Sequence, residues 1–157
     1  MSKSGKIFQL SNKLYENRIP FIPSLLFALN RIIFSCETPP NPKVHPSVVF
    51  MHNGLGMVIH EKCSIGKETC IMQNVTIGGN RGKSRLHEGD KIGVPIIGEN
   101  VFIGTGASVL GPVIIGDNAQ IGAGAVVVND IPKNAVAVGV PAKVIKVLSD
   151  KEVKPSH

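Results

Sequence analysis

The sequence predicts a mainly β chain that folds as a triangular parallel β-helix. An aliphatic residue recurs every six positions, a glycine often follows it, and a small or β-branched residue stands four positions after it. A six-residue period is neither helical nor a simple strand alternation, so it indicates a short strand and a tight turn, with three such units per coil. The aliphatic positions are Ile59, Ile65, Ile71, Ile77, Ile97, Ile103, Val109, Ile115, Ile121 and Val127, and Val44 and Phe50 extend the register backwards.

The residues four positions after these aliphatics are expected to point inward near a corner, where only small side chains fit. They are Cys63, Thr69, Val75, Val101, Ala107, Val113, Ala119, Ala125 and Ile131, with Val48 and Gly54 in the backward extension. The composition agrees, because 43% of the residues are hydrophobic but only 4% are aromatic. A core of this kind suits the narrow, regular space between stacked strands.

The repeat is interrupted between Ile77 and Ile97, a gap of twenty residues that is not a multiple of six. The polar, charged segment 80–90 predicts a loop ejected from the coil at about 80–95. Long loops on rigid scaffolds often carry function, although a tolerated surface insertion is the alternative.

The segments outside the coil differ from it. In the N-terminal arm, residues 1–35, Ser24 is expected to cap a short helix whose apolar face packs on the open end of the coil. That face consists of Leu25, Leu26, Leu29, Ile32 and Ile33. Contact of this basic, apolar arm with a membrane is the alternative. The coil is expected over 36–146 and a mobile tail over 147–157.

The net charge of +6 favours anionic partners, but without an arginine-rich run or interleaved aromatic and basic residues a nucleic acid is not expected. The sequence shows no signal peptide, and the apolar stretch 19–34 is too interrupted to span a bilayer. Three unpatterned cysteines indicate neither a disulfide framework nor a metal site, and they favour the reducing cytoplasm.

Several motifs resemble serine acetyltransferases and related O-acetyltransferases of the hexapeptide-repeat superfamily, including enzymes that modify capsular or lipopolysaccharide sugars. The resemblance covers residues 36–146 and implies a left-handed parallel β-helix, a homotrimer with active sites between subunits, and acetyl-CoA as co-substrate. The motifs are MHNGLGMVIH (51–60), QNVTIGG (73–79), IGAGAVVVNDIP (121–132) and GVPAKVIK (139–146).

The resemblance identifies His52 as the catalytic base. Acetyl transfer to a hydroxyl needs a base because a neutral alcohol is a poor nucleophile, and histidine has a suitable pKa. The family has an aspartate fifteen residues before this histidine, where the present chain has Glu37. We expect the Glu37 carboxylate to hold the imidazole in the required tautomer.

The coenzyme and the acceptor are expected to contact further residues. By the resemblance, Gly79, Thr105 and Ala123 line the channel for the coenzyme arm. The family's lysine before the IGAG segment is replaced by Gln120, so Lys143, or Lys146 near it, is expected to bind a phosphate instead.

Serine acetyltransferases hold the amino and carboxylate groups of serine through an aspartate before the histidine and an Arg–His pair. The matching residues here are Met51, Gly93 and Val94, and a site without charged partners would bind an amino acid poorly. The sequence therefore favours a neutral acceptor such as a saccharide hydroxyl, with Met51, Asn53 and His87 as candidate contacts. In the loop, Arg81, Lys83 and Arg85 are candidates to meet an acidic glycan.

Other functions remain open. The first alternative is a serine O-acetyltransferase of cysteine biosynthesis, and the others are an inert scaffold and a γ-type carbonic anhydrase. The anhydrase needs three histidine ligands for zinc, and His52, His60 and His87 lack the expected spacing, so no metal is predicted. Cys63 falls on an inward position and is expected to fill the core rather than to act as a nucleophile.

Overall fold

The fold is a left-handed parallel β-helix, seen in a computed structural model that describes residues 2–155. Two helices, α1 (Lys3–Glu16) and α2 (Ile22–Phe34), precede the coil. The strands in chain order are β1 (Lys43–Val44), β2 (Val49–Phe50), β3 (Val58–Ile59), β4 (Ser64–Ile65), β5 (Cys70–Ile71), β6 (Thr76–Gly78), β7 (Arg85–His87), β8 (Asp90–Ile92), β9 (Ile96–Ile97), β10 (Phe102–Ile103), β11 (Ser108–Leu110), β12 (Ile114–Ile115), β13 (Gln120–Ile121), β14 (Val126–Val127), β15 (Ala135–Val138) and β16 (Lys143–Val147).

Successive strands of the coil belong to three parallel sheets in turn, which form the three faces of the triangle. Face A contains β3, β6, β11 and β14, and face B contains β1, β4, β9 and β12. Face C contains β2, β5, β10, β13 and β15, and β16 adds to its end as an antiparallel strand. Each rung therefore stacks on the equivalent rung of the next coil, as the six-residue repeat predicts.

The predicted inward positions form the core. All ten aliphatic positions from Ile59 to Val127 are at most 2% exposed, and the nine residues that follow them by four are at most 3% exposed. Thr69 is the polar member of this set, and its hydroxyl donates to Gly98 O at 3.0 Å and accepts from Val101 N at 3.2 Å. The burial of these residues confirms the repeat prediction. The buried hydroxyl of Thr69 is compatible with this core because its hydrogen bonds are satisfied.

The first coil is three residues longer than the regular eighteen-residue coils that follow the hairpin. Phe102 pairs with Gln120, eighteen positions on, whereas Val49 pairs with Cys70, twenty-one positions on. The extra residues lie at the corner between faces C and A, so Met57, which is fully buried, takes the inward position after Phe50. The prediction that Gly54 fills this position is wrong, because the insertion moves Gly54 out of the repeat and against Cys36.

The N-terminal helices pack differently from the prediction. Helix α2 begins at Ile22 after Phe21, without a side-chain cap from Ser24. Its predicted packing face is exposed instead, with Leu25 at 60% and Ile32 at 79%. The reason is a helix that the sequence analysis did not predict, α1, which covers the end of the coil.

Helix α1 covers the open end of the coil with Phe8, whose ring centroid lies 5.6 Å from that of Phe50. Helix α2 then packs on α1 through its buried residues Pro23 and Asn30. Ser11 donates a hydrogen bond to Pro23 O at 2.9 Å in this contact. Covering the first rung in this way protects strand edges that would otherwise be free to pair with another chain.

The C-terminal tail, predicted to be mobile, folds back along the coil as far as it is described. Lys146 and Ser149 hydrogen-bond to Glu152 and lower the pKa of its carboxyl to about 2. Farther on, the side-chain amide of Asn100 donates to Lys154 O at 3.1 Å. The last residues of the predicted tail, 156–157, lie outside the described residues.

Candidate active site

His52 lies on the three-residue insertion of the first coil. The insertion forms a short 3₁₀ turn, Met51–Gly54, in which His52 has φ 48° and Asn53 has φ 55°. Residues other than glycine rarely adopt such left-handed φ angles. A backbone of this kind persists only where the surrounding structure fixes it. The insertion leaves the His52 side chain exposed at the corner, where a ligand can reach it.

Neighbouring elements hold this turn in place. The backbone N–H of Lys3, at the start of α1, donates to Asn53 Oδ1 at 3.0 Å. On the other side Gly56 has φ 66°, and a Cβ at this position would lie 2.1 Å from Asn74 Oδ1. The left-handed angle and the close Asn74 side chain favour glycine at this position, and the helix fixes the loop that carries His52. Asn53, a predicted substrate contact, uses its side-chain oxygen in this support.

Three more residues stack above His52 at the same corner. Because β5, β10 and β13 are in register, Gln73, Thr105 and Ala123 occupy the same turn position of successive coils. Gly106 N donates to Gln73 O at 3.0 Å, and Gly124 N donates to Thr105 O at 2.8 Å. We call the edge formed by the His52 turn, Gln73, Thr105 and Ala123 the His52 corner. The structure thus brings together three of the predicted residues.

Lys143 lies beyond the upper end of this corner. It pairs with Val138 across β15 and β16, and the Val138 side chain covers Gly122, the neighbour of Ala123. Lys146, in contrast, is bound to Glu152. The edge therefore has a cation at one end and an exposed imidazole at the other, with small or polar side chains between them.

Glu37 lies on face A, one rung below the strand that follows His52. Its backbone bridges to Val58, and its carboxylate forms an ion pair with Arg31 at 3.4 Å. Among residues 2–155, no ion pair joins Glu37 to His52. Glu37 stacks below a residue twenty-one positions on, whereas His52 is fifteen positions on, and the three-residue insertion accounts for half of this offset of six.

Gly79, Gly93, Val94 and His87 lie at a different corner, whereas Met51 and Asn53 belong to the His52 turn. The ejected loop leaves the coil between faces A and B and forms an antiparallel hairpin from β7 and β8. A cavity of about 1100 Å³ opens beneath it, lined by Gly79, Gly93 and Val94 together with Lys43, His60, Lys62, Arg81 and Lys91. We call this edge the hairpin corner. Within one protomer these residues do not meet His52. His87 is on the hairpin, with Nε2 3.9 Å from Glu88.

A bidentate ion pair fastens the hairpin to the coil. Arg85 donates from both terminal nitrogens to the Asp130 carboxylate at 2.9 Å, and Asp130 also accepts from Ile114 N at 2.8 Å. Arg85, predicted as a glycan contact, therefore holds the hairpin against the upper coils. Its Nε atom is buried and has no partner among the described residues.

We expect Arg85→Ala to release the hairpin while leaving the coil folded. Backbone amides over 84–93 should exchange with deuterium faster, because the two-stranded hairpin is too small to be stable alone. The free energy of unfolding should change by less than about 1 kcal/mol, since partly exposed ion pairs contribute little. Lys83→Ala is the control, and equal exchange rates in both variants would contradict the anchoring role.

The cysteines are core residues. Cys36, Cys63 and Cys70 are buried and free, and burial raises the pKa of the Cys63 thiol to about 12. A thiol in this state is not a nucleophile at neutral pH. Within residues 2–155, no group of three His, Cys, Asp or Glu side chains is arranged to hold a metal ion. Over the same range, no helix is long and apolar enough to cross a membrane.

Gln73 and the insertion that carries His52 are not among the residues predicted from the sequence. The insertion had a visible signal, because Phe50 and Ile59 are nine positions apart rather than six. Gln73 had no such signal in the sequence, since polar residues are common at turns. Only the register of β5 with β10 shows that it stands between His52 and Thr105.

The fold is a hexapeptide-repeat β-helix, and a family model described as bacterial transferase hexapeptide (six repeats) matches residues 95–129. The chain is 37% identical over 139 residues to the serine acetyltransferase of Helicobacter pylori, which covers 88% of this chain and 77% of that protein. The chain therefore belongs to the serine acetyltransferase family.

Other members of the family are longer. The serine acetyltransferase of Synechococcus elongatus is 37% identical over 137 residues, which is 87% of this chain but 53% of that protein. A crystal structure of the Brucella abortus serine acetyltransferase in complex with coenzyme A superimposes with a TM-score of 0.79 at 26% identity. The superposition covers 92% of the present chain and 55% of the Brucella abortus chain. The present chain therefore spans about half the length of these relatives.

Proposed function

We propose that this chain is an acetyl-CoA-dependent O-acetyltransferase in which His52 is the general base. The observation that carries the proposal is the single edge on which Lys143, Ala123, Thr105 and His52 follow one another. An extended coenzyme with phosphates at one end and a thioester at the other fits this order. A relative that binds coenzyme A supports the same co-substrate.

The proposed reaction is a direct transfer without an acyl-enzyme. His52 takes the proton of the acceptor hydroxyl while the hydroxyl oxygen attacks the thioester carbon. The carbon–sulfur bond then breaks, and the coenzyme leaves as a thiol with that proton. The buried, neutral cysteines support a mechanism without a thiolate nucleophile. Glu37 remains the proposed carboxylate partner of His52, and its present pair with Arg31 is exposed enough to be exchanged at little cost.

We further propose that the active enzyme is a homotrimer. The His52 corner and the hairpin corner lie at different edges of one protomer, so residues of both contribute to one site only if neighbouring subunits meet there. The cavity at the hairpin corner supports this, because its basic lining favours an anionic ligand shared with a neighbouring subunit. The free cysteines favour a reducing compartment, and we propose the cytoplasm.

L-Serine is the acceptor that the relatives favour, since they are named serine acetyltransferases. A neutral saccharide hydroxyl is the second candidate. One observation supports it: Met51, Gly93 and Val94 carry no charge, and a bound amino acid needs partners for its ammonium and its carboxylate.

Release of coenzyme A with each acceptor tests these proposals. With L-serine as acceptor we expect saturation in the low millimolar range, and Met51→Asp, which restores the family's carboxylate, should raise kcat/KM for serine by about tenfold. If serine gives no turnover and a neutral sugar does, the serine proposal is wrong and the saccharide proposal stands. If no acceptor raises the rate above hydrolysis, the O-acetyltransferase proposal itself fails.

A further inference from the structure

Gln73 is the residue of the His52 corner to which neither the motifs nor the relatives assign a role. It stands one coil above the His52 turn and one coil below Thr105, because Ile71 pairs with Phe50 on one side and with Ile103 on the other. Parallel rungs lie about 4.8 Å apart, so Gln73 is within one rung of both neighbours. Outside the His52 turn, which contains Asn53, it is therefore the first side-chain amide along the edge.

The backbone at Gln73 is fixed on both sides. Its carbonyl accepts from Gly106 N at 3.0 Å, and Asn74 N, the next residue, donates to Leu55 O at 2.8 Å. The side chain points toward Thr105, whose hydroxyl donates to Gln73 Oε1 in a long hydrogen bond of 3.4 Å. With its oxygen bound toward Thr105, the amide group has its Nε2 atom left to donate elsewhere. Among residues 2–155, no hydrogen bond uses Gln73 Nε2, and the residue is half-buried.

We propose that Gln73 Nε2 donates a hydrogen bond to the thioester carbonyl oxygen of acetyl-CoA during the transfer. The inference rests on the proposed function. When the acceptor oxygen attacks, the carbonyl oxygen gains a negative charge, and a fixed donor aimed at that charge stabilises the transition state more than the ground state. As the carbon–sulfur bond breaks, the charge returns to form the ester carbonyl, and Gln73 neither gains nor loses a proton.

A backbone N–H at Gly78 or Gly79 is the alternative donor, and it reaches this site only from a neighbouring subunit. Gly78 ends strand β6, and Gly79 lines the cavity under the hairpin at the other corner of the protomer. At about 3.3 Å per residue, the five residues from Gln73 to Gly78 span roughly 16 Å. Gln73 instead shares its corner with the base.

Two variants test the proposal in the full chain with acetyl-CoA and the best acceptor. Gln73→Ala removes the donor, and we expect kcat to fall by about 10²–10³-fold with KM for acetyl-CoA changed less than about threefold. Gln73→Glu keeps the length and the acceptor for the Thr105 hydroxyl but places a carboxylate where the donor was. It should be at least as slow. Gln9→Ala, a glutamine on α1, is the matched control and should retain the wild-type kcat.

The outcomes separate this inference from the function on which it rests. If the wild-type chain turns over and both Gln73 variants stay within about threefold of its kcat, the role of Gln73 is wrong and the proposed function stands. If the variants raise KM for acetyl-CoA alone, Gln73 only lines the coenzyme channel and the proposal is also wrong. If the wild-type chain gives no acetyl transfer, both fail. Thermal unfolding of each variant checks that the fold is retained.

Discussion

Replacing His52 with alanine is expected to lower kcat/KM for acetyl transfer by about 10²–10⁴-fold. The exposed imidazole of His52 lies at the same corner as Thr105 and Ala123 and is the proposed base. Without it, the acceptor hydroxyl keeps its proton and attacks the thioester slowly. Stopped-time assays of coenzyme A release with a thiol reagent measure the change.

The matched control is His45→Ala. His45 is also an exposed histidine at a turn of the first coil, but it lies between faces B and C, where its Nδ1 contacts the Ser47 hydroxyl at 2.9 Å. We expect this variant to remain within about twofold of the wild-type rate. Equal rates for the wild-type and His52→Ala enzymes would show that the base lies elsewhere and that the corner only binds the coenzyme.

The coil could be predicted from the sequence because every rung obeys the same local rule. An inward aliphatic such as Ile103 meets an equivalent residue above and below, so the period alone specifies burial and pairing. The position of Thr105 and Ala123 on one edge follows from the same rule once the register is known. Periodic information of this kind does not depend on any distant contact.

The prediction failed where the chain leaves the repeat. On α2, Leu25 and Ile32 form a regular apolar stripe, but the stripe does not reveal which side another element will cover. In the structure α1 covers the end of the coil, with Phe8 packed on Phe50. Helix α2 therefore packs on α1 instead, through residues such as Pro23. Which face of a helix is buried depends on the surfaces that neighbouring elements offer. Those surfaces are set by the whole fold and not by the local sequence.

The candidate site could be predicted in its residues but not in its geometry. The motif identifies His52 without indicating that the residue has a left-handed backbone held by the start of α1. The fifteen-residue spacing suggested that Glu37 lies beneath His52, but the longer first coil places it beneath Val58, within reach of Arg31. Gly79, grouped with Thr105 by the resemblance, lies at the hairpin corner, and only an assembly of subunits could reunite them.

Gly104→Ala is expected to destabilise the coil by about 2–3 kcal/mol. A Cβ at this position would lie 2.6 Å from Ala123 N and 2.9 Å from both Gly122 C and Ile121 O, which are all backbone atoms of the next coil. Backbone cannot rotate away as a side chain can, so the rung must separate and lengthen the bond from Gly104 N to Ile121 O, now 2.8 Å. The melting temperature should fall by roughly 4–12 °C.

Gly78→Ala is the matched control, because a Cβ there meets nothing within 4 Å and its backbone is not left-handed. Its melting temperature should stay within about 2 °C of the wild type, since alanine also restricts the unfolded chain slightly. The shift in Gly104→Ala would be accompanied by weaker coenzyme A binding, because the same rung sets the distance between Thr105 and Ala123. Equal melting temperatures for the two variants would contradict this explanation. The glycines beside the inward aliphatics would then not be needed for close contact between the backbones of successive coils.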